Sequence, residues 1–158
     1  MALAGLSSLG VKFGYGVETV AGTKPTAFKQ VTRVNALGGI NIEPEQIDAS
    51  ALEDYITKYI EGRADTGGSF PVTINLTPDT ITEWTALIKA YKDLKNGLQM
   101  WFETIFPNLD KGFFVIAQPP SIIPQPEVGQ NDLVTVEMNL TIVEYKGLDD
   151  KVEFTPGE

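Results

Sequence analysis

Residues 69–97 read SFPVTINLTPDTITEWTALIKAYKDLKNG, and within them the spacing of the apolar residues changes once. Phe70, Val72, Ile74 and Leu76 recur every second position against Ser69, Thr73 and Asn75, which is the period of a strand with one dry and one wet face. Beyond Thr80 the apolar positions become Ile81, Trp84, Leu87, Ile88, Tyr91 and Leu94, the stripe of an amphipathic helix. Pro78 suits the first helical position, Thr80 and Glu83 offer a capping box, and Asn96-Gly97 supplies a stop. Lys89, Lys92 and Lys95 lie where cations complement the helix dipole. The pattern predicts a strand followed by one surface helix, over about residues 79–95, that covers a sheet.

Most of the remaining chain keeps the two-residue period. In LVTVEMNLTIVEY (133–145), Val134, Val136, Met138, Leu140 and Ile142 face Thr135, Glu137, Asn139 and Thr141 across the strand. LQMWFETIF (98–106) and GFFVIAQ (112–118) are joined by PNLDK, which reads as a hairpin loop, and KFGYGVE, VTRVNAL and INIEPEQI add shorter strands before them. QPPSIIPQPEVGQN (118–131) holds four prolines and reads as an irregular loop, while FTPGE (154–158) reads as a loose or docked tail. The fold class expected is mainly β: an antiparallel β-sandwich or partial barrel with a single flanking α-helix, and a long connection between strands over about residues 47–66. At 158 residues, 42% of them hydrophobic, the chain suits one domain spanning 1–158 that needs no staples.

The connection itself, IDASALEDYITKYIEGRADTGG (47–68), breaks the pattern. Leu52, Tyr55, Ile56, Tyr59 and Ile60 fall at helical spacing, and Ser50 with Glu53 makes a possible capping box, so periodicity predicts a short helix there. Two uses of such a stripe follow: packing on the chain's own sheet as a second core helix, or docking on another molecule. An isolated helix of this length is marginal in water, so order requires a surface to rest on. The segment is also acidic, with seven acidic and two basic residues between 43 and 65.

The chain carries a formal charge of −9 and has neither His nor Cys. An acidic surface repels phosphate, which disfavours ordinary nucleic-acid binding. Without His and Cys, the commonest general base, the commonest metal ligand and thiol chemistry are all missing. No nucleophile elbow, phosphate-binding loop or calcium loop is present. The adjacent acids Glu53-Asp54 and Asp149-Asp150 point apart on any regular element and read as solvated charges. The opening MALAGLSSLGVKFGYG has no basic region before its apolar residues and no membrane-length run. These features argue against an enzyme, a cofactor, a metal site or a membrane partner.

An acidic insert with two tyrosines between alternating strands, then a helix and further strands, resembles the phage-lambda-type major tail protein family, whose fold is related to the tube proteins of contractile tails and type VI secretion. The similarity is carried by Asp48, Ser50, Leu52-Glu53-Asp54, Tyr59-Ile60-Glu61-Gly62 and Asp65-Thr66-Gly67, and downstream by WTALIKAYKDLKNGLQMWFETIFPN, a helix leading into a strand that ends in Phe-Pro. The resemblance implies a structural subunit of a virion tail, assembled in the bacterial cytoplasm. Hexameric rings would stack into a hollow β-barrel tube through which DNA, or an effector, passes without specific binding. The partners it implies are other copies of the chain, a tape-measure protein, a tail terminator, a distal tail or baseplate initiator and, in a contractile tail, a sheath protein. Residues Leu52, Tyr55, Ile56, Tyr59 and Ile60 would then make the contact between rings, and Thr73, Asn75, Glu137, Asn139 and Thr141, on wet strand faces, would line the lumen. The alternative reading is a small β-sandwich that binds carbohydrate or protein through loops such as 118–131, although that loop has no aromatic residue.

Overall fold

The structure, a computed structural model, describes residues 10–155 apart from 41–42, 52–54, 57–58, 66–67, 96 and 131–132. Its elements are β1 (Lys12–Val17), β2 (Phe28–Val31), β3 (Val34–Leu37), β4 (Glu43–Asp48), β5 (Tyr59–Asp65), β6 (Ser69–Asn75), α1 (Pro78–Lys92), β7 (Met100–Ile105), β8 (Lys111–Gln118), β9 (Thr135–Asp150) and β10 (Phe154–Thr155). Eight strands make one sheet in the order β10-β2-β1-β7-β8-β9-β6-β3, and β4 and β5 make a second, two-stranded sheet. Every pairing is antiparallel except that of β10 with β2.

The sheet curls, and β9 is where it does so. The first part of this 16-residue strand, Thr135–Thr141, pairs with β6, while Thr141–Asp150 pairs with β8. The register with β8 shifts at Phe114/Val115 and again at Ile116/Ala117, and such bulges bend a strand. In a flat sheet β1 and β6 would lie about 19 Å apart, four strand spacings. Instead the rings of Phe13 on β1 and Phe70 on β6 have centroids 6.0 Å apart, and Phe13 stacks on Phe102 of β7 at 5.7 Å. The core therefore lies inside a partial barrel, where Val72, Ile74, Met138 and Leu140 meet Phe13, Phe102 and Met100.

Helix α1 covers this core with Trp84 and Leu87, both fully buried, and Ile88. It starts one residue before the predicted helix and ends three residues earlier. Its N-cap is Thr77, which accepts from the Thr80 N–H, while the Thr80 hydroxyl accepts from the Thr77 N–H. The capping box is thus Thr77 with Thr80, not Thr80 with Glu83, because Pro78 already begins the helix. Glu83 is left free to bind the turn between β2 and β3, accepting from the Thr32 N–H at 2.9 Å and the Thr32 hydroxyl at 2.7 Å. That turn, with Arg33 at positive φ, splits VTRVNAL into two strands where the alternation suggested one.

The described residues between 47 and 60 are not helical. Asp48 pairs with Tyr59 and Ile47 with Ile60, so the segment belongs to an antiparallel hairpin whose register shifts once between Pro44 and Gln46. Tyr59 and Ile60 are successive positions of one strand, and a five-residue helical face does not exist; Leu52 lies outside the described residues. Local spacing lost to pairing, because Glu43–Asp48 supplies a strand partner for Tyr59–Asp65. Among the described residues of this segment there is no second core helix.

Since Trp84 is buried completely and fills the mouth of the barrel, Trp84→Ala should cost about 3–5 kcal/mol. Urea unfolding should show a lowered midpoint with an unchanged slope.

Candidate functional site

The features that stand out in the structure are surfaces. Among the described residues no group of His, Cys, Asp and Glu clusters as metal ligands, and no helix is long and apolar enough to cross a membrane.

The first surface is the hairpin. At about 3.3 Å per residue its arms, of six and seven residues, are roughly 20 Å long. At the tip Tyr55 and Ile56 stand in solvent, with relative exposures of 105% and 79%. Large apolar side chains so placed stabilise nothing within the chain itself. Of the five residues predicted to form one docking stripe, these two hold an exposed tip, while Tyr59 and Ile60 belong to the arm.

The second surface is the wet face of β6 and β9. Thr73 lies directly opposite Glu137, Asn75 opposite Thr135, Pro71 opposite Asn139 and Ser69 opposite Thr141. The predicted set Thr73, Asn75, Glu137, Asn139 and Thr141 is therefore brought together on two neighbouring strands, behind the core-facing row of Phe70, Val72, Val136, Met138 and Leu140. Strand β3 extends it, since the Asn35 amide donates to the Asn75 side-chain oxygen at 2.9 Å. The face carries hydroxyls, amides and one carboxylate, with no cation to hold a phosphate.

The third is a seat for the C-terminal segment, which alternation did not reveal. Strands β1, β7 and β8 are dry on both faces: Trp101, Phe114 and Ile116, with Phe28 of β2, form a second cluster against Val152 and Phe154. Gly14 makes room, because a Cβ there would stand 2.5 Å from the Phe154 ring. The signal available in the sequence was MWF and FFVIA, runs too apolar for a strand with a wet side. Lys24 lies 4.0 Å from the Phe114 ring centre and its ammonium binds the Asp150 carbonyl, tying down the end of β9.

Glu103 sits fully buried beside this cluster. One carboxylate oxygen accepts from the Val152 N–H at 2.8 Å, and the other has no hydrogen-bond partner. Burial pushes its pKa up to about 7, against the smaller lowering effects of the Val152 hydrogen bond and Lys24. A carboxyl raised in the folded state binds protons more tightly there, so its contribution is fully present below about pH 4.5 and is lost as pH rises through about 7.

Two apolar hollows lie at opposite ends of the barrel. Leu37–Ile40, at the root of the hairpin, line one of about 310 Å³ together with Thr104, Phe106 and Phe113, beside the end of β7 and the start of β8. The other, about 520 Å³, lies between the C-terminal half of α1 and the loop after β8, with Ile88, Lys89, Lys92, Ile122 and Ile123 in its walls.

This fold recurs in components of contractile injection systems. A chain in the cryo-EM structure of the PVC extracellular contractile injection system, sheath/tube terminator in extended state, is similar with a TM-score of 0.57 and 14% identity, over 85% of this chain and 91% of that one. A chain of the anti-feeding prophage (AFP) baseplate is similar with a TM-score of 0.54 and 13% identity, over 93% and 97%. No protein-family model and no curated protein matches the sequence. At such identities the likeness is one of fold.

Glu103→Gln should keep the acceptor for Val152 while removing the ionisation. The wild type should lose about 1–3 kcal/mol relative to this variant between pH 5 and pH 8, read from chemical denaturation at each pH.

Proposed function

We propose that this chain, acting as one tail domain, is a structural subunit of a phage-tail-like particle: copies form rings, hexameric in the reading that resemblance suggests, and stacked rings form a tube. The observation that carries the reading is the hairpin, which pairs with itself and holds Tyr55 and Ile56 in solvent, on a fold shared with contractile-injection-system components. Such a hairpin has a use once another subunit covers its tip. Sheet edges support the same conclusion. Strand β3 ends the strand order on one side and the two-residue β10 ends it on the other, and exposed edges in an assembling protein are sites for pairing with a neighbour.

In the assembled ring the polar face of β3, β6 and β9 faces the lumen. Thr73, Asn75, Asn139 and Thr141 offer passing DNA or protein no charge to grip, and Glu137 repels phosphate, so cargo slides without binding. A tape-measure protein within the tube, and terminator and initiator complexes at its ends, are the partners of such a subunit, with a sheath around it if the tail contracts. The work is mechanical and needs no catalytic group. Assembly in the host cytoplasm and residence in the tail belong to the same reading.

A second reading is favoured by the first of these neighbours, which belongs to a structure described by its sheath/tube terminator: on that reading this chain forms a ring that caps a tube without polymerising. Electron microscopy of the concentrated protein separates the two. Hollow filaments of uniform diameter support the tube subunit, isolated rings support the cap, and a monomer at every concentration, with and without initiator, overturns both.

Tyr55→Ala and Ile56→Asp should leave the monomer folded, with unfolding midpoints within about 0.5 kcal/mol of wild type, because both residues are exposed. Both should abolish ring stacking. Amide exchange over residues 48–65 should be fast in the monomer and slow in tubes; equal protection in the two states counts against the docking role.

A further inference from the structure

The self-assembly reading leaves open where the hairpin tip goes, and the surface chemistry of the chain narrows the choice. The segment 43–65 has the sequence charge −5, with Glu43, Glu45, Asp48, Glu53, Asp54, Glu61 and Asp65 against Lys58 and Arg63. Its complement should be apolar in the middle and basic at the rim. The hollow at the hairpin root has no basic lining residue. The groove between α1 and the loop after β8 has the required character: buried Ile88 and the more open Ile122 and Ile123 line it, with Lys89 and Lys92 beside them. Ile122 is 77% exposed, and neither lysine forms an ion pair among the described residues. Asp93 is the one acid in the lining, and Lys95, exposed just beyond the helix, lies close by in the sequence.

Position makes the groove's occupant a second copy. The hairpin springs from Leu37–Ile40, beside the Ile105 end of β7 and the Lys111 end of β8. The groove is at the other end, where α1 turns back toward Met100 and the chain leaves Gln118 for Ser121. The hairpin arms are about 20 Å long. Within one molecule tip and groove do not meet, since Tyr55, Ile56 and Ile122 are all exposed. Two copies can join tip to groove, the heterologous contact that generates stacks.

We infer that Tyr55 and Ile56 of one copy dock into the groove formed by Ile88, Lys89, Lys92, Ile122 and Ile123 of a second copy, with the acidic hairpin arms neutralised by the lysines at its rim. The contact rests on the self-assembly reading and names its receiving surface. Two side chains bury too little area for a stable pair of monomers, so the contact is weak singly and becomes strong when several are made at once between rings. Its ionic part falls with salt.

Because the chain has no cysteine, introduced thiols report the contact directly. Tyr55→Cys protein mixed with Ile122→Cys protein under mild oxidation should give a cross-linked dimer at least about tenfold faster than Tyr55→Cys mixed with Val20→Cys, and raising salt to about 0.5 M should slow it several-fold. Val20 is equally accessible, at 62% exposure, and lies outside the groove. The double variant Lys89→Glu/Lys92→Glu should also block stacking seen by electron microscopy. Equal cross-linking of the two mixtures, or normal stacks from the double variant, overturns the assignment of the groove. If Tyr55→Ala still abolishes stacking in that case, the self-assembly reading stands and the tip docks elsewhere; if wild-type protein never assembles, both fall.

Discussion

Contact between Phe13 and Phe70 is the constraint on which the rest of the molecule depends. Those rings belong to strands four places apart in the sheet, and they touch because the apolar face on each side of β9 has nowhere else to go but against the other. Burying that face stabilises the curl, and the curl decides everything about the outer surface. It turns Thr73, Asn75, Glu137 and Asn139 outward as a single polar strip and leaves a mouth that Trp84 and Leu87 must fill. Hydrophobic burial is non-directional, so direction comes from the bulges in β8, which fix where the strand bends.

How much of this was legible follows from the range over which each signal acts. The strand at 69–76, the helix after Pro78, the hairpin around PNLDK and the proline-rich loop are all decided by neighbours a few residues away, and each is found close to where its pattern put it. The wet-face residues were legible for the same reason, since alternation within one strand assigns faces before any partner is known. Signals that depend on distant partners were not. Phe154 is an unremarkable tail residue until Gly14 leaves a slot for its ring, and nothing near Glu103 in the sequence marks it until Val152 is laid over it.

The hairpin shows the opposite failure, a local pattern that was present and overruled. Tyr55, Ile56, Tyr59 and Ile60 do fall at helical spacing, and the acidic residues before them suit a helix start. What the spacing could not register is that Glu43–Asp48 offers a strand partner for Tyr59–Asp65, including a proline tolerated beside a register shift. A two-stranded ribbon is itself marginal in water, so the choice of hairpin over helix does not remove the need for a surface to rest on. Tyr55 and Ile56 remain exposed at its tip.

Strand β9 also governs how the protein comes into being during synthesis. It supplies the hydrogen-bonding partner of both β6 and β8, so neither half of the barrel closes until residues 135–150 have left the ribosome. At roughly 5–20 residues per second the edges of β6 and β8 that face β9 wait seconds without their partner, while β2, β1, β7 and β8, and β3 with β6, can already pair. Long-range pairing of this kind also makes the closing step itself slow. The late arrival of β9 therefore sets how long those two edges stay open.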